Sequence, residues 1–402
     1  MITLALPRLP RAVPRFALVL LAGLFAAIQI PASAQTPAPK PPPDLIVFSN
    51  GDQLTGTFER ILGDNVVFKS DMAGEITVPL AKVKQLRAGG EFAVLRKDRP
   101  VTKQAVTPGT ISVEGSDIKV STASAPEATI PTKDVAFVID KATYVKETNP
   151  HPSFFYGWTG AVTGGATLVR ASQNGNTFNA GIALVRNVPT VSFLPKRNRT
   201  LFGLTETYGT LTQPAIAINN TPYSQVKTSI FHTGLEQDQY ISNRFYLLGT
   251  VTFDHNFSQS INLQQVYGAG AGWTAIQTPK QQLDLSASIH YERQNFIQPV
   301  QPAPPATPIP ATPEVNLIGA TIGENYLRHL PGKLLFTENL SVLPAFNTPS
   351  AYSALGSVGL VLPVYHRLAV NFNTSDSFLN NPAPGFKKNS YQFVTGVTYT
   401  LK

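Results

Sequence analysis

Over residues 154–402 the chain alternates apolar and polar side chains in long segments with no helical period. The clearest run sets Leu283, Leu285, Ala287, Ile289 and Tyr291 against Gln282, Asp284, Ser286, Ser288, His290 and Glu292. A period of two means a strand with two unlike faces. Tyr391, Phe393, Val397, Tyr399 and Leu401 oppose Gln392, Thr398 and Thr400, and Leu368, Val370 and Phe372 oppose Asn371 and Asn373. Gly268, Gly270 and Gly272 put small residues along one whole face of another segment. Twelve segments follow from this pattern, at about 155–170, 176–187, 198–211, 225–239, 243–256, 261–276, 281–294, 314–328, 333–343, 351–362, 366–377 and 388–401. Most are far longer than the roughly five or six residues usual in soluble sheets, whereas a tilted strand needs about 9 to 11 to cross a bilayer's hydrocarbon.

The connections alternate in length. Those after odd segments are 171–175, 212–224, 257–260, 295–313, 344–350 and 378–387; those after even ones are 188–197, 240–242, 277–280, 329–332 and 363–365. Long loops on one side and tight turns on the other are the habit of outer-membrane barrels, and closure satisfies every backbone group in lipid. Two connections break the rule: 257–260 is short for its side and 188–197 is long for its side.

Upstream, the pattern is of short strands. Leu45 to Phe48 and Leu54 to Arg60 flank Asn50-Gly51, a strong hairpin signal. Gly63-Asp64-Asn65-Val66-Val67 then aligns with Gly115-Ser116-Asp117-Ile118-Lys119, Ile76-Thr77-Val78-Pro79 with Ala128-Thr129-Ile130-Pro131, and Val83 with Val135, all 52 residues apart. Two copies of a small β unit therefore fill 44–140, packed as a pair or as two small barrels in tandem. Asp52, Asp64 and Glu75 fall at turns, where such residues serve the backbone rather than chemistry. Residues 141–154 read as a linker, and 35–43 (QTPAPKPPP) as an extended Pro-rich one.

The first 34 residues look like a signal peptide: Arg8, Arg11 and Arg15 precede the apolar run Phe16 to Ile30, and Ala32-Ser33-Ala34 offers a small-x-small cleavage site. With cleavage, the formal charge of +8 falls by three arginines to +5, too little for a nucleic-acid footprint. No later window is apolar enough for a transmembrane helix. The chain has no Cys, which excludes a disulfide scaffold and thiolate chemistry, and charged residues are only 14% of it.

Candidate chemistry is sparse. Ser286, Ser288, His290 and Glu292 share a face, so a Ser-His-acid site acting on lipid is one reading, with Ser288 and His290 as its core. Same-face neighbours are about 7 Å apart by strand rise, however, and a polar lumen gives the same pattern without catalysis. Glu206, Asp284, Ser288, His290, Glu292 and Glu324 are the expected lumen-lining residues. The six His lack metal-site spacing, and no metal or cofactor is expected.

Gly157-Trp158-Thr159-Gly160 with Gly164-Gly165-Ala166-Thr167-Leu168, then Asn243-Arg244-Phe245-Tyr246, Tyr267 through Trp273, Leu283-Asp284-Leu285-Ser286 and His290-Tyr291-Glu292, resemble in order the bacterial family catalogued as domain of unknown function 481. Its members include proteins named as salt-induced outer-membrane proteins of the YdiY type. The resemblance covers about 155–402 and implies location and fold, with no functional residue to carry over. Asn50 to Thr57 and Gly74 to Val78 are similar to the small β domain preceding such barrels. One departure is the ending Tyr399-Thr400-Leu401-Lys402 in place of a terminal Phe or Trp.

These readings predict an all-β protein of the Gram-negative envelope: a transmembrane antiparallel β-barrel of about 12 strands in the outer membrane, over 155–402, preceded by a small periplasmic β domain with an internal repeat. Its expected partners are outer-membrane lipid, the barrel assembly machinery and peptidoglycan or another envelope protein, with no nucleic acid. The leading expectation is a non-enzymatic barrel, a narrow pore or envelope-stress component. A lipid-acting enzyme and a structural or adhesive barrel with a plugged lumen are the alternatives.

Overall fold

A computed structural model describes residues 42–122, 125–170, 174–213, 224–298, 307, 310–383 and 385–401. The signal-peptide segment and most of the Pro-rich linker lie outside the described residues. No helix among the described residues is long and apolar enough to cross a membrane, which says nothing about strands.

The N-terminal domain comprises β1 (Asp44–Phe48), β2 (Gln53–Leu62), β3 (Asn65–Ser70), β4 (Gly74–Pro79), β5 (Val83–Arg96), β6 (Gly109–Glu114), β7 (Asp117–Thr122), β8 (Ala125–Pro131) and β9 (Val135–Asp140). They form one nine-stranded sheet in the order β4-β3-β2-β1-β5-β6-β7-β8. β9 pairs with both β2 and β5, so β1, β2, β9 and β5 close a four-membered ring. The 52-residue repeat is literal: β3–β4 recur as β7–β8, each hairpin entered through a left-handed glycine, Gly63 at φ 56° and Gly115 at φ 61°. Alternation gives each short strand one apolar face. Ile46, Phe58, Ile61, Val66 and Phe68 of the first half meet Ile111, Val113, Ile118, Val120 and Val138 of the second in a shared core. The repeats therefore pack as a pair, not as two barrels in tandem.

The segment expected as a linker begins with a helix, α1 (Lys141–Glu147), whose first turn is capped by Asp140 accepting from the Thr143 amide at 2.9 Å.

Twelve strands follow: β10 (Trp158–Arg170), β11 (Asn174–Val188), β12 (Asn198–Gln213), β13 (Ser224–Tyr240), β14 (Phe245–Asn256), β15 (Ile261–Gln277), β16 (Gln281–Phe296), β17 (Val315–His329), β18 (Leu335–Leu343), β19 (Ser353–Tyr365), β20 (Leu368–Leu379) and β21 (Asn389–Leu401). Each pairs antiparallel with the next, and β10 pairs with β21 from Gly160↔Leu401 to Arg170↔Tyr391, closing the barrel. The apolar positions of each alternating run face outward: Ile289 is 67% exposed, Leu247 53% and Val397 52%. In water such a belt would be untenable, whereas in lipid it is the ordinary outer face of a barrel.

The rim nearest the N-terminal domain is here called proximal, the other distal. The connection 189–197 between β11 and β12, long for the proximal side, is a docking arm. Its Leu194 is buried against Ala93, Leu95 and Ile139, with Val191 and Phe193 beside it, and the Arg60 guanidinium lies 5.4 Å from the Phe193 ring centroid. Glu147, buried at the end of α1, accepts from the Thr190 amide at 2.7 Å and from the Tyr156 hydroxyl at 2.6 Å. Arg197 donates to the Asn149 carbonyl at 2.7 Å and the Glu147 carbonyl at 3.1 Å.

Candidate functional site

β16 carries the polar inner face anticipated from its alternation. Asp284, His290 and Glu292 are nearly fully buried inside the barrel and Ser288 is half-buried on the same face. Glu206 and Glu324 do not join them. Directly paired residues share a face of the sheet, and Glu324 pairs with Leu285 of the lipid-facing row while Glu206 pairs with exposed Ala180. The expectation that these two line the lumen is therefore corrected.

At the proximal end three strands converge on Arg199, which sequence reading passed over. Its Nε donates to Asp238 Oδ2 at 2.6 Å and one Nη to Asp284 Oδ2 at 2.8 Å, with Glu236 Oε1 3.9 Å from the other. Asp284 also accepts from Thr274 Oγ1 at 2.6 Å and Gln282 Nε2 at 2.7 Å. The guanidinium lies 5.2 Å from the centroid of the Tyr246 ring, and that ring covers Gly272, where an added methyl would sit 2.1 Å from Tyr246 Cζ. The glycine row of β15 thus has a use: it leaves room for a phenol ring inside the barrel.

Further along, His290 Nδ1 is 2.8 Å from Thr321 Oγ1, and its Nε2 is 3.6 Å from Glu292 Oε2. Glu292 Oε1 accepts from Gln264 Nε2 at 2.8 Å and from Gln294. His290 is held by Thr321, and no hydrogen bond between it and Ser288 is found among the described residues, so the geometry does not assemble the Ser-His couple. Nor do the described residues contain a group of His, Asp and Glu placed to hold a metal ion.

The distal mouth is crossed by the connection 257–260, which folds into the barrel instead of standing above it. Ser258 and Gln259 have no exposed surface. Asn256 Oδ1 accepts from the Ser258 amide at 3.1 Å, starting the turn, and Ser260 ends it in the left-handed region at φ 62°. Gln259 Nε2 then donates to the carbonyls of Ser377 and Lys388, both at 3.0 Å, and Ser258 Oγ meets Ser390 Oγ at 2.8 Å. β14 and β20 are six strands apart in a closed ring of twelve, so these bonds span its width. Ile261, Phe296, Leu379 and Ala383 form an apolar cluster beside the crossing.

Between the Arg199 cluster and the docking arm lies a cavity of about 480 Å³, lined by Asn187, Lys196, Arg199, Gln282, Asn325 and Asn339 among others. Burial draws the Lys196 ammonium below the ordinary lysine value, and its Nζ sits 5.7 Å from the Tyr240 ring centroid. The lumen thus holds a chamber of mixed polar and apolar lining behind the arm, a charged cluster beyond it and a hydrogen-bonded crossing at the far mouth.

A family model described as "Protein of unknown function, DUF481" matches residues 162–401. No curated protein matches the chain. Among solved structures, the translocator domain of autotransporter NalP from Neisseria meningitidis is similar at 9% identity and a TM-score of 0.35, over 60% of this chain and 88% of that one. The NanC porin gives 6% identity and 0.37, over 60% and 100%. The transport unit of autotransporter AIDA-I from Escherichia coli gives 10% and 0.32, over 65% and 96%. At these values the barrel's own closure and register remain the basis for its fold.

Proposed function

The chain belongs to the DUF481 family, whose description assigns it no activity, and on that premise we propose that it is a non-enzymatic outer-membrane barrel, sealed at rest, that holds a periplasmic β domain against the membrane. The observation that carries this reading is the pair of obstructions in the lumen: the Arg199, Asp238 and Asp284 cluster at one end and the Ser258–Gln259 crossing at the other. A loop bonded across the mouth narrows any path through it, and the Arg199 cluster narrows the same path at the other end. The docking arm supports the second half of the reading, because it ties the domain to the barrel through apolar packing and through Glu147. Partners follow from position: the barrel assembly machinery inserts the barrel, membrane lipid surrounds it, and the domain meets peptidoglycan or another envelope protein. The resemblance to salt-induced proteins makes envelope stress the fitting occasion.

A second reading, a pore that opens when the arm is displaced, is favoured by the cavity of about 480 Å³. In both readings the domain is periplasmic and the distal loops face outward. The chain has no Cys, so single-cysteine variants report topology directly. Met72→Cys, at a domain turn 93% exposed, and Asn381→Cys, in an exposed distal loop, are treated with a membrane-impermeant maleimide on intact cells. Labelling of the Asn381 variant alone, with the Met72 variant reacting only after the outer membrane is permeabilised, is the expected result. Labelling of Met72→Cys on intact cells overturns the orientation.

A further inference from the structure

The proximal turns share a chemistry that the sealed lumen does not use. The five connections at that rim, 189–197, 241–244, 278–280, 330–334 and 366–367, carry Lys196, Arg197, Arg244, Lys280, Lys333 and Arg367, and not one Asp or Glu. The six distal connections, though longer in total, carry only Lys387, Lys388 and Glu314. Arg244, Lys280, Lys333 and Arg367 are exposed, and none of the four forms an ion pair among the described residues. Each projects from a different turn, so together they distribute positive charge around the rim.

Aromatic side chains interleave with these cations on the outer wall. Phe245 follows Arg244 directly and stacks on Trp273, ring centroids 6.0 Å apart. Tyr365, 66% exposed, stands two residues before Arg367. Phe154 and Phe155, 68% and 85% exposed, flank Trp158 at the start of β10. Amphipathic rings seek the level of lipid headgroups, and cations just beyond them meet the phosphates there. Solvated turns would gain nothing from excluding every carboxylate.

We propose that the proximal rim is a binding surface for anionic glycerophospholipid, with Arg244, Lys280, Lys333 and Arg367 meeting the phosphodiester headgroups and the aromatic collar seated in the acyl boundary beneath them. The surface rests on the barrel spanning a bilayer and is independent of which compartment the rim faces, so failure of the topology experiment leaves it standing.

The chain contains two Trp, and both, Trp158 and Trp273, belong to this collar, so intrinsic fluorescence reports on it directly. The full-length protein is reconstituted in phosphatidylcholine vesicles containing a fixed minor fraction of acyl-brominated phosphatidylglycerol or the same fraction of acyl-brominated phosphatidylcholine. Enrichment of the anionic lipid at the collar by about twofold or more is expected, read as stronger quenching by the brominated phosphatidylglycerol. The variant with Arg244→Gln, Lys280→Gln, Lys333→Gln and Arg367→Gln loses that excess, and if it fails to fold, Lys280→Gln with Lys333→Gln reduces the excess. Lys387→Gln with Lys388→Gln, at the distal loop, leaves it intact. Equal quenching by the two headgroups in the native protein, or an excess untouched by the proximal substitutions, overturns the proposal.

Discussion

Ser258 Oγ and Ser390 Oγ stand 2.8 Å apart although 132 residues separate them in the chain, and they belong to opposite walls of the barrel. With Gln259, which reaches two carbonyls beside Ser390, they make the distal mouth a cross-braced lid. Losing the two bonds that Gln259 Nε2 donates costs about 1–3 kcal/mol, at roughly 0.5–1.5 kcal/mol a bond, while the Lys388 carbonyl keeps the Leu379 amide as its other donor. Gln259→Ala is therefore expected to lower unfolding stability by that amount. It should also raise amide exchange at 388–390, with little change around the proximal cluster. Unchanged exchange at 388–390 would show that the crossing does not brace the mouth.

The Arg199 cluster makes an asymmetric prediction. Removing one partner of a buried charge group strands the others, at roughly 3–5 kcal/mol, whereas neutralising the whole group with similar volumes costs little. Arg199→Ala is expected to be severely destabilised in urea titrations followed by Trp fluorescence. The triple variant Arg199→Met, Asp238→Asn, Asp284→Asn should regain most of the loss. If the triple variant is no more stable than Arg199→Ala, the cluster is not the paired unit that its 2.6 Å and 2.8 Å contacts describe.

Tyr246 and Gly272 form a lock of ring over backbone. Gly272→Val forces the ring to move and is expected to cost about 1–3 kcal/mol by overpacking. Because the clash needs both residues, adding Tyr246→Ala should cost much less on the Gly272→Val background than on the native one. Heat-modifiable migration, the mark of a folded barrel, measures the folded fraction; additive losses in the double variant would refute the contact.

The docking arm is sensitive to acid in a defined direction. Burial by itself raises the Glu147 carboxyl, but hydrogen bonds from the Thr190 hydroxyl, the Tyr156 hydroxyl and the Thr190 amide outweigh it and hold the group below its ordinary value of 4.5. A carboxyl with a lowered folded pKa stabilises the docked state above the ordinary value and loses that contribution as pH falls through the folded one. Docking should accordingly be unaffected at neutral and mildly acidic pH and weaken only below about 4.5. Proteolytic cleavage within 148–157, measured across pH, should rise in that acid window, and Glu147→Gln should flatten the profile. Weakening centred above the ordinary carboxylate range would contradict the assignment.

All twelve barrel strands were legible as long strand-like segments, but period two was clear in only three of them, β16, β20 and β21, where lipid outside and polar groups inside make the two faces chemically distinct. The repeat was legible too, since its turns reuse the same glycine and proline positions, Gly63 with Gly115 and Pro79 with Pro131. The two connections of anomalous length marked what the pattern could not explain: 188–197 is long because it docks to a second domain, and 257–260 is short because it folds inward. Arg199 was invisible because its partners lie 39 and 85 residues away: Asp238 is set opposite it by the register of β12 and β13, and Asp284 reaches it only across the lumen from β16. Glu206 and Glu324 were misplaced for a local reason. Thr205 and Thr207, and Gly323 and Asn325, flank them with residues tolerated on either face, so only the register of β12 and β17 decides where they point.

The central claim is that the lumen is closed at rest, and planar-bilayer recording from the full-length protein tests it most directly. The unmodified protein is predicted to insert without conductance steps at moderate voltage, whereas a variant with Ser258→Gly and Gln259→Gly together with Arg199→Ser, Asp238→Ser and Asp284→Ser, which removes the crossing and the paired charges without stranding a buried carboxylate, should show them. Regular steps from the unmodified protein would contradict the account.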